Sequence, residues 1–155
     1  MRDLAAIRRA FADLPVVRVA SVGPEGPHVV PLWFVWRDDA IYASCRRSGR
    51  TARNVLRDPR VALLFDLGRE WVELAGAEVA GSATLLGTEH PTMRGPMSAW
   101  HEKYRPLLSG EGFRRLTEEL PDLAFLRVEP ERARTWDHAA PRRPGLRLPG
   151  PGGAA

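Results

Sequence analysis

Residues 27–54 read PHVVPLWFVWRDDAIYASCRRSGRTARN, and the fold turns on how this run is divided. Its first ten residues form a strand apolar on both faces, with Val29, Trp33 and Val35 on one side and Val30, Leu32, Phe34 and Trp36 on the other. Such a strand must be covered on two sides. Arg37-Asp38-Asp39 turns the chain into another strand at 40–44. Helix signals then run from Ser48 to Arg57, with Val55 and Leu56 facing inward and Asp58-Pro59 as the stop.

Upstream, residues 16–22 read as a strand closed by the turn Gly23-Pro24-Glu25-Gly26, so three strands follow one another as an antiparallel meander. Before them, Leu4, Ile7, Phe11 and Leu14 recur at helical spacing, with Pro15 just beyond. Downstream come a strand at 60–66 and one long strand or two at 71–86, where Gly76 and Gly81 mark a bulge or barrel bend. Two helical stretches, 91–107 and 111–120, precede a last strand at 123–136. Strands and helices do not alternate, which argues against a doubly wound sheet. The expected fold is mainly β with inserted helices, a small, partly open six-stranded antiparallel barrel. One domain is expected over residues 1–138, followed by a disordered Pro/Gly-rich tail at 139–155.

The chain has 155 residues and a formal charge of +4, and Lys103 is its only lysine. Arginine binds phosphate or carboxylate through two parallel hydrogen bonds, whereas lysine acts as a point charge. A coding bias toward Ala, Arg, Gly and Pro accounts for the arginine content equally well. The arginines are spread over the whole chain without a recognition motif, so no nucleic-acid partner is expected. The N-terminus lacks an uninterrupted apolar stretch, which argues against a secretory signal or a membrane span. The single Cys45 permits no internal disulfide, and a cytoplasmic location is expected. Two neighbouring arginines are a setting that lowers a thiol pKa, but small cysteines at strand ends are ordinary, so packing is the expected role. His28, His90, His101 and His138 show no ligand spacing, and no metal site is expected. Trp71 is expected in the core; Trp100 and Trp136 fit core, interface or the cover of a flat ring.

Two features carry chemistry. Pro31 lies mid-strand and removes a ladder donor, which fits either an edge or bulge, or a backbone that faces a ligand. From Ser44 to Asn54 a strand end runs into a helix start bearing Ser44, Ser48, Thr51, a flexible Gly49 and guanidiniums at Arg46, Arg47, Arg50 and Arg53. Free N–H groups and the helix dipole favour an anion there. The plainer reading makes Ser48 an N-cap and the arginines a solvated face. The Gly-x4-Gly-Lys-Ser/Thr loop is absent.

The run RVASVGPEGPHVVPLWFVWRDDAIYASCRRSGRTARNVLRDPRVALLFD resembles the core of the pyridoxamine-phosphate-oxidase-like split β-barrel proteins, among them flavin- and deazaflavin-dependent oxidoreductases. The Glu73-Leu74-x-Gly76 and Gly81-x-Ala83 strand and the closing Val128-x-Pro130 with Arg132 and Trp136 are similar too, so the likeness covers roughly residues 5 to 137. It implies FMN or the deazaflavin coenzyme F-420 between two protomers of a homodimer. The ring would rest against Val30, Pro31, Leu32 and Trp33, and the phosphate would be held by Ser44, Ser48, Arg50 and Thr51. Many members carry lysine where this chain has Thr51, which leaves Arg46, Arg47 or Arg53 as substitutes. The sequence holds no counterpart of the C-terminal segment that completes the substrate site of true pyridoxamine phosphate oxidases. The resemblance therefore points to the shorter relatives, some of which use reduced F-420 to deliver hydride to conjugated or otherwise activated double bonds, and it implies hydride transfer to or from a small organic substrate. Hydride chemistry belongs to the cofactor ring, so no catalytic side chain is expected. A non-catalytic flavin, deazaflavin or haem carrier, the last through His138, is the alternative on the same fold.

Overall fold

A computed structural model describes residues 4–139; of the tail expected to be disordered at 139–155, Ala139 is buried and donates its N–H to Asp137, and the rest lies outside the described residues. Helix α1 (Leu4–Phe11) buries Ile7 and Phe11, which its four-residue spacing puts on one face, and leads to β1 (Val17–Gly23). A tight turn with Gly26 at φ 90° folds β2 (Gly26–Leu32) back on β1. After Trp33 come the hairpin strands β3 (Phe34–Arg37) and β4 (Ala40–Arg46), then α2 (Arg50–Arg57) and β5 (Arg60–Leu67). Strand β6 (Ala75–Gly87), helices α3 (Arg94–Tyr104) and α4 (Glu111–Glu119), and β7 (Leu123–Asp137) complete the chain.

The seven strands form one antiparallel sheet in the order β2-β1-β5-β6-β7-β4-β3. Strands β2 and β3 therefore lie at opposite edges although only Trp33 separates them. Two steps of chain reach at most about 7 Å, so the edges must meet and the sheet curls into a barrel that no ladder closes. This corrects the expected single strand at 27–36: it is two strands, the count is seven rather than six, and β2, β3 and β4 are not a meander. The two-face apolar pattern is satisfied differently in each half. In β3, Phe34 and Trp36 enter the barrel core while Val35 enters a second cluster. In β2, Val29 is 60% exposed. Pro27 and Pro31 share one parity of this edge strand, where a missing N–H faces away from the partner and costs no ladder bond.

The bulge expected at a glycine lies at Ala80/Gly81 in the β6–β7 ladder. A Cβ at Gly81 would come within 2.1 Å of the Glu129 carbonyl, which explains the glycine. Helix α2 buries Thr51, Ala52, Asn54 and Val55. Leu56, expected inward, is 70% exposed, because consecutive helical positions stand about 100° apart and Val55 already holds the inward face. Trp71 is also a correction. The strand begins at Ala75, not at 71; Trp71–Glu73 form a short 3-10 turn, and Trp71 is 74% exposed, its ring packed on His138. Gly68 at φ 95° and the Glu73 carboxylate, which accepts from Arg69 N–H at 3.2 Å, shape this turn before the strand can start.

Candidate functional site

Helix α2 begins at Arg50, with Gly49 as an extended N-cap; no side chain caps it and its first turn holds no acidic residue. Its first N–H groups lack intrahelical acceptors, so this end keeps its affinity for an anion. Arg50 and Thr51 lie against the start of β2. The Arg50 guanidinium donates to the Gly26 carbonyl at 3.5 Å and stands 3.4 Å from the Glu25 carboxylate. The buried Thr51 hydroxyl is 3.2 Å from His28 Nε2. Asn54 ties the helix to β1 through the Ser21 hydroxyl at 3.1 Å.

At the far end of β2, Ser44 donates to the Trp33 carbonyl twice, from its N–H at 2.8 Å and its hydroxyl at 3.3 Å. The strand expected to carry a ring is thus bracketed by Arg50 and Thr51 at its start and by Ser44 at its end. Between these ends Val30 is half-buried and Pro31 exposed. Leu32, Trp33 and Ser44 line one apolar cleft of about 220 Å³, roofed by Trp100 and Leu116.

Ser48 stands apart. Its N–H and hydroxyl both donate to the Asp122 carboxylate, at 3.0 and 2.6 Å. These bonds, the hydroxyl foremost, hold Asp122 below the usual carboxyl range, with Arg46 and Arg47 adding to the effect. Arg47 also pairs with Glu89 at 3.1 Å, and Arg53 donates to the Ser48 carbonyl at 2.5 Å. The expected N-cap is corrected: Gly49, not Ser48, holds that position, and the Asp122 carboxylate occupies the Ser48 donors, while Arg46, Arg47 and Arg53 are exposed as the solvated-face reading expects. Asp122 and His28 were invisible in the motif because both meet it only through tertiary contact.

Trp33 is fixed from behind. Its ring stacks on Tyr104 at 4.2 Å and 0° and meets Trp100 at 5.4 Å. Tyr104 Oη accepts the Phe34 N–H at 2.7 Å, and its proton faces the carbonyls of Phe34 and Pro15 at 2.9 and 3.0 Å. Burial pushes this phenol up to about 12 despite the Phe34 N–H. Lys103 Nζ donates to the carbonyls of Ala12 and Phe34 at 2.7 and 3.0 Å and lies 3.7 Å from the Phe34 ring centroid. Burial draws its pKa down to about 8. Cys45 behaves opposite to a thiol activated by arginine: burial, and then the Asp122 charge, push it up to about 12.

Trp100 is core and cleft wall at once. Trp136 lies over Gly76, where a Cβ would meet its ring at 2.4 Å. His138 Nδ1 is 3.0 Å from the Trp71 carbonyl. Among the described residues no group of His, Cys, Asp and Glu side chains is arranged to hold a metal, and no helix is long and apolar enough to cross a membrane.

Comparison with known proteins agrees with this architecture. The conserved hypothetical protein Rv2991 of Mycobacterium tuberculosis is 25% identical, with a TM-score of 0.69 over 91% of this chain and 89% of that one. A protein described as an F420 reductase is 20% identical, with a TM-score of 0.61 over 81% of this chain and 94% of that one. HutZ, the haem storage protein of Vibrio cholerae, is 17% identical, with a TM-score of 0.65 over 84% and 92%. No curated protein matches the sequence. The sequence profile described as pyridoxamine 5'-phosphate oxidase matches residues 4–137, nearly the whole described chain, and the protein belongs to that family.

Proposed function

We propose that the protein is a cytoplasmic oxidoreductase that binds FMN or coenzyme F-420 and passes hydride to or from a small organic substrate. The observation that carries this reading is the bracketing of β2: an uncapped helix start with Arg50 and Thr51 at one end and the fixed Trp33 at the other. At about 3.3 Å per residue, a ligand laid along β2 has room for a ring against Val30, Pro31, Leu32 and Trp33 and a phosphate at Arg50 and Thr51. Ser44 fixes the ring end. Ser48 joins the phosphate site only when Asp122 gives up its donors. The fold supplies position and exclusion of water, and the cofactor ring supplies the redox chemistry.

The exposed apolar side chains Val22 and Val29, with Pro27 and Pro31 on the open edge, support a homodimer with the cofactor at its interface. Arg50, Arg53 and Arg57 succeed one another at three- and four-residue spacing along α2. This stripe suits the acidic tail of F-420 and inclines the reading toward that cofactor. The haem alternative draws support from the HutZ likeness in fold, but His138 is engaged with Trp71.

Titration of the purified protein with FMN and with F-420, followed by fluorescence quenching, tests the reading. Binding weaker than the high micromolar range for both removes it. Tight binding without turnover of the reduced cofactor against a panel of acceptors makes the protein a carrier instead of an enzyme. A Soret band on haem addition, with no response to either flavin, favours the haem reading.

A further inference from the structure

Thr51 is the second residue of α2, and each Cα–Cβ bond of a helix tilts toward its N-terminus. The Thr51 side chain therefore stands beside the N–H groups that this helix start leaves without acceptors. The residue is only 5% exposed. Among the described residues, its hydroxyl has one side-chain partner, His28 Nε2 at 3.2 Å. A hydroxyl donates one bond and accepts others, and a neutral imidazole nitrogen does one or the other according to its proton.

The direction of this bond decides what the helix start offers. With Nε2 bare, the Thr51 proton is spent on His28, and the hydroxyl turns only lone pairs outward. With a proton on Nε2, His28 donates to Oγ1, and the Thr51 proton is left for a third group in a place where an unpaired donor is costly. An anion at the helix start supplies that acceptor, and it in turn favours the charged imidazolium. Histidine is the side chain that ordinarily changes charge between pH 5 and 8.

The surroundings leave the change to His28. Across the β1–β2 ladder it faces Ser21, and Val19 and Val30 share that side of the pair, none of them titratable. From α2 and the turn before β2 come Arg50, paired with Glu25, and Arg53, which donates to the Ser48 carbonyl. Arg57 follows on α2. Ahead of the helix, Arg46 and Arg47 bear on Asp122, and Arg47 pairs with Glu89.

We propose that His28 is a positioning residue of the phosphate site: by donating to Thr51 Oγ1 it aims the Thr51 proton at the phosphate, and its protonation makes affinity for the phosphorylated cofactor rise as the pH falls. This rests on the proposed cofactor phosphate lying at Arg50 and Thr51.

The test compares F-420 and FMN with their phosphate-free parents, 8-hydroxy-5-deazariboflavin and riboflavin, at pH 6 and pH 8. Wild type, His28→Gln and His28→Leu are titrated by fluorescence quenching. The phosphodiester of F-420 keeps its charge over this range; the monoester of FMN titrates within it, so for FMN the two variants are the reference. Wild type is expected to prefer F-420 over its parent roughly fivefold more at pH 6 than at pH 8. His28→Gln, whose amide donates at every pH, should show its wild-type pH 8 preference at both pH values, and His28→Leu should fall below it. A long-range 1H–15N correlation spectrum of the His28 ring at pH 7 should show the protonated fraction growing as cofactor is added. The same pH slope in His28→Gln, wild-type preference in His28→Leu, or a ring whose protonation ignores the cofactor overturns the proposal. If His28→Leu does not fold, the slope in His28→Gln and the ring spectrum decide. Tight F-420 or FMN binding whose preference over the parent does not change with pH refutes the role of His28 and leaves the proposed function standing. Failure of every flavin and deazaflavin to bind refutes both.

Discussion

The carboxylate of Asp122 accepts both the backbone N–H and the hydroxyl of Ser48, across 74 residues of sequence. An acidic side chain thus uses the donors beside an uncapped helix start, where the sequence alone points to a bound anion. Arg46 and Arg47 lower the Asp122 pKa as they would stabilise a phosphate. The carboxylate is an internal occupant of part of that site, and the site at Arg50 and Thr51 remains beside it.

Replacing Asp122 with Asn removes a negative charge next to the proposed phosphate position. Like charges a few ångströms apart repel even when partly screened, so Asp122→Asn is expected to tighten FMN or F-420 binding by roughly fivefold. Fluorescence titration of both proteins at one ionic strength checks this. Unchanged affinity would place the phosphate too far from Ser48 to sense the carboxylate.

The same contact makes stability depend on pH. The folded-state pKa of Asp122 lies below its ordinary value, so its stabilisation is complete above about pH 4 and fades as the pH falls through the lower folded value. Thermal melts from pH 6 to pH 2.5 should show the wild type ahead of Asp122→Asn at the upper end, with the gap closing at the lower. A gap of constant width would mean that the carboxylate's charge contributes nothing there.

How far the sequence reached can be stated from particular residues. Local pattern located α1, the β1–β2 turn, the helix after residue 48 and the bulge at Gly81, because each depends on neighbours in the chain. Periodicity also sorted Phe34 and Trp36 from Val35 correctly. It missed the break at Trp33, since an alternating apolar run looks the same whether the strand continues or crosses from one sheet edge to the other. Hydrophobicity alone put Trp71 and Leu56 inside; a 3-10 turn and a helix phase turned them out. The partners of the candidate site, Asp122, Tyr104 and His28, lie 23 to 74 residues from the groups they touch. No local motif announces contacts of that range.

Arg50 and Arg57 should separate the two candidate cofactors. Charge-assisted hydrogen bonds contribute about 1.5–3 kcal/mol, so Arg50→Ala is expected to weaken either cofactor roughly 10- to 100-fold. Its melting temperature should barely move, because the partner Glu25 is exposed and surface ion pairs are weak. Arg57→Ala should leave FMN affinity alone and reduce F-420 affinity a few-fold if the acidic tail runs along α2. Equal losses for both cofactors would show that Arg57 meets something other than the tail.

Cys45 should be inert despite its two arginine neighbours. With the thiol pushed up to about 12, only about one molecule in ten thousand carries a thiolate at pH 8. A disulfide-forming aromatic reagent should modify the native protein at least about 100-fold more slowly than the protein in denaturant. Comparable rates would mean that the β4 end opens freely, and the cleft beside it would lose its fixed wall.

Tyr104 holds the corner on which the barrel turns. Its hydroxyl accepts the Phe34 N–H, the first donor after the crossing at Trp33, and both residues are fully buried. Tyr104→Phe keeps the ring that stacks on Trp33 and strands the Phe34 N–H without its acceptor. A buried donor left unpaired costs about 1–3 kcal/mol, which for a domain of this size lowers the melting temperature by several degrees. The stacking should survive, so the near-ultraviolet tryptophan signal should keep its native shape below the transition. A melting temperature within a degree of wild type would show that the crossing is held by Lys103 and the packing of Phe34 alone. The barrel edges would then be joined by side-chain contact instead of by this phenol.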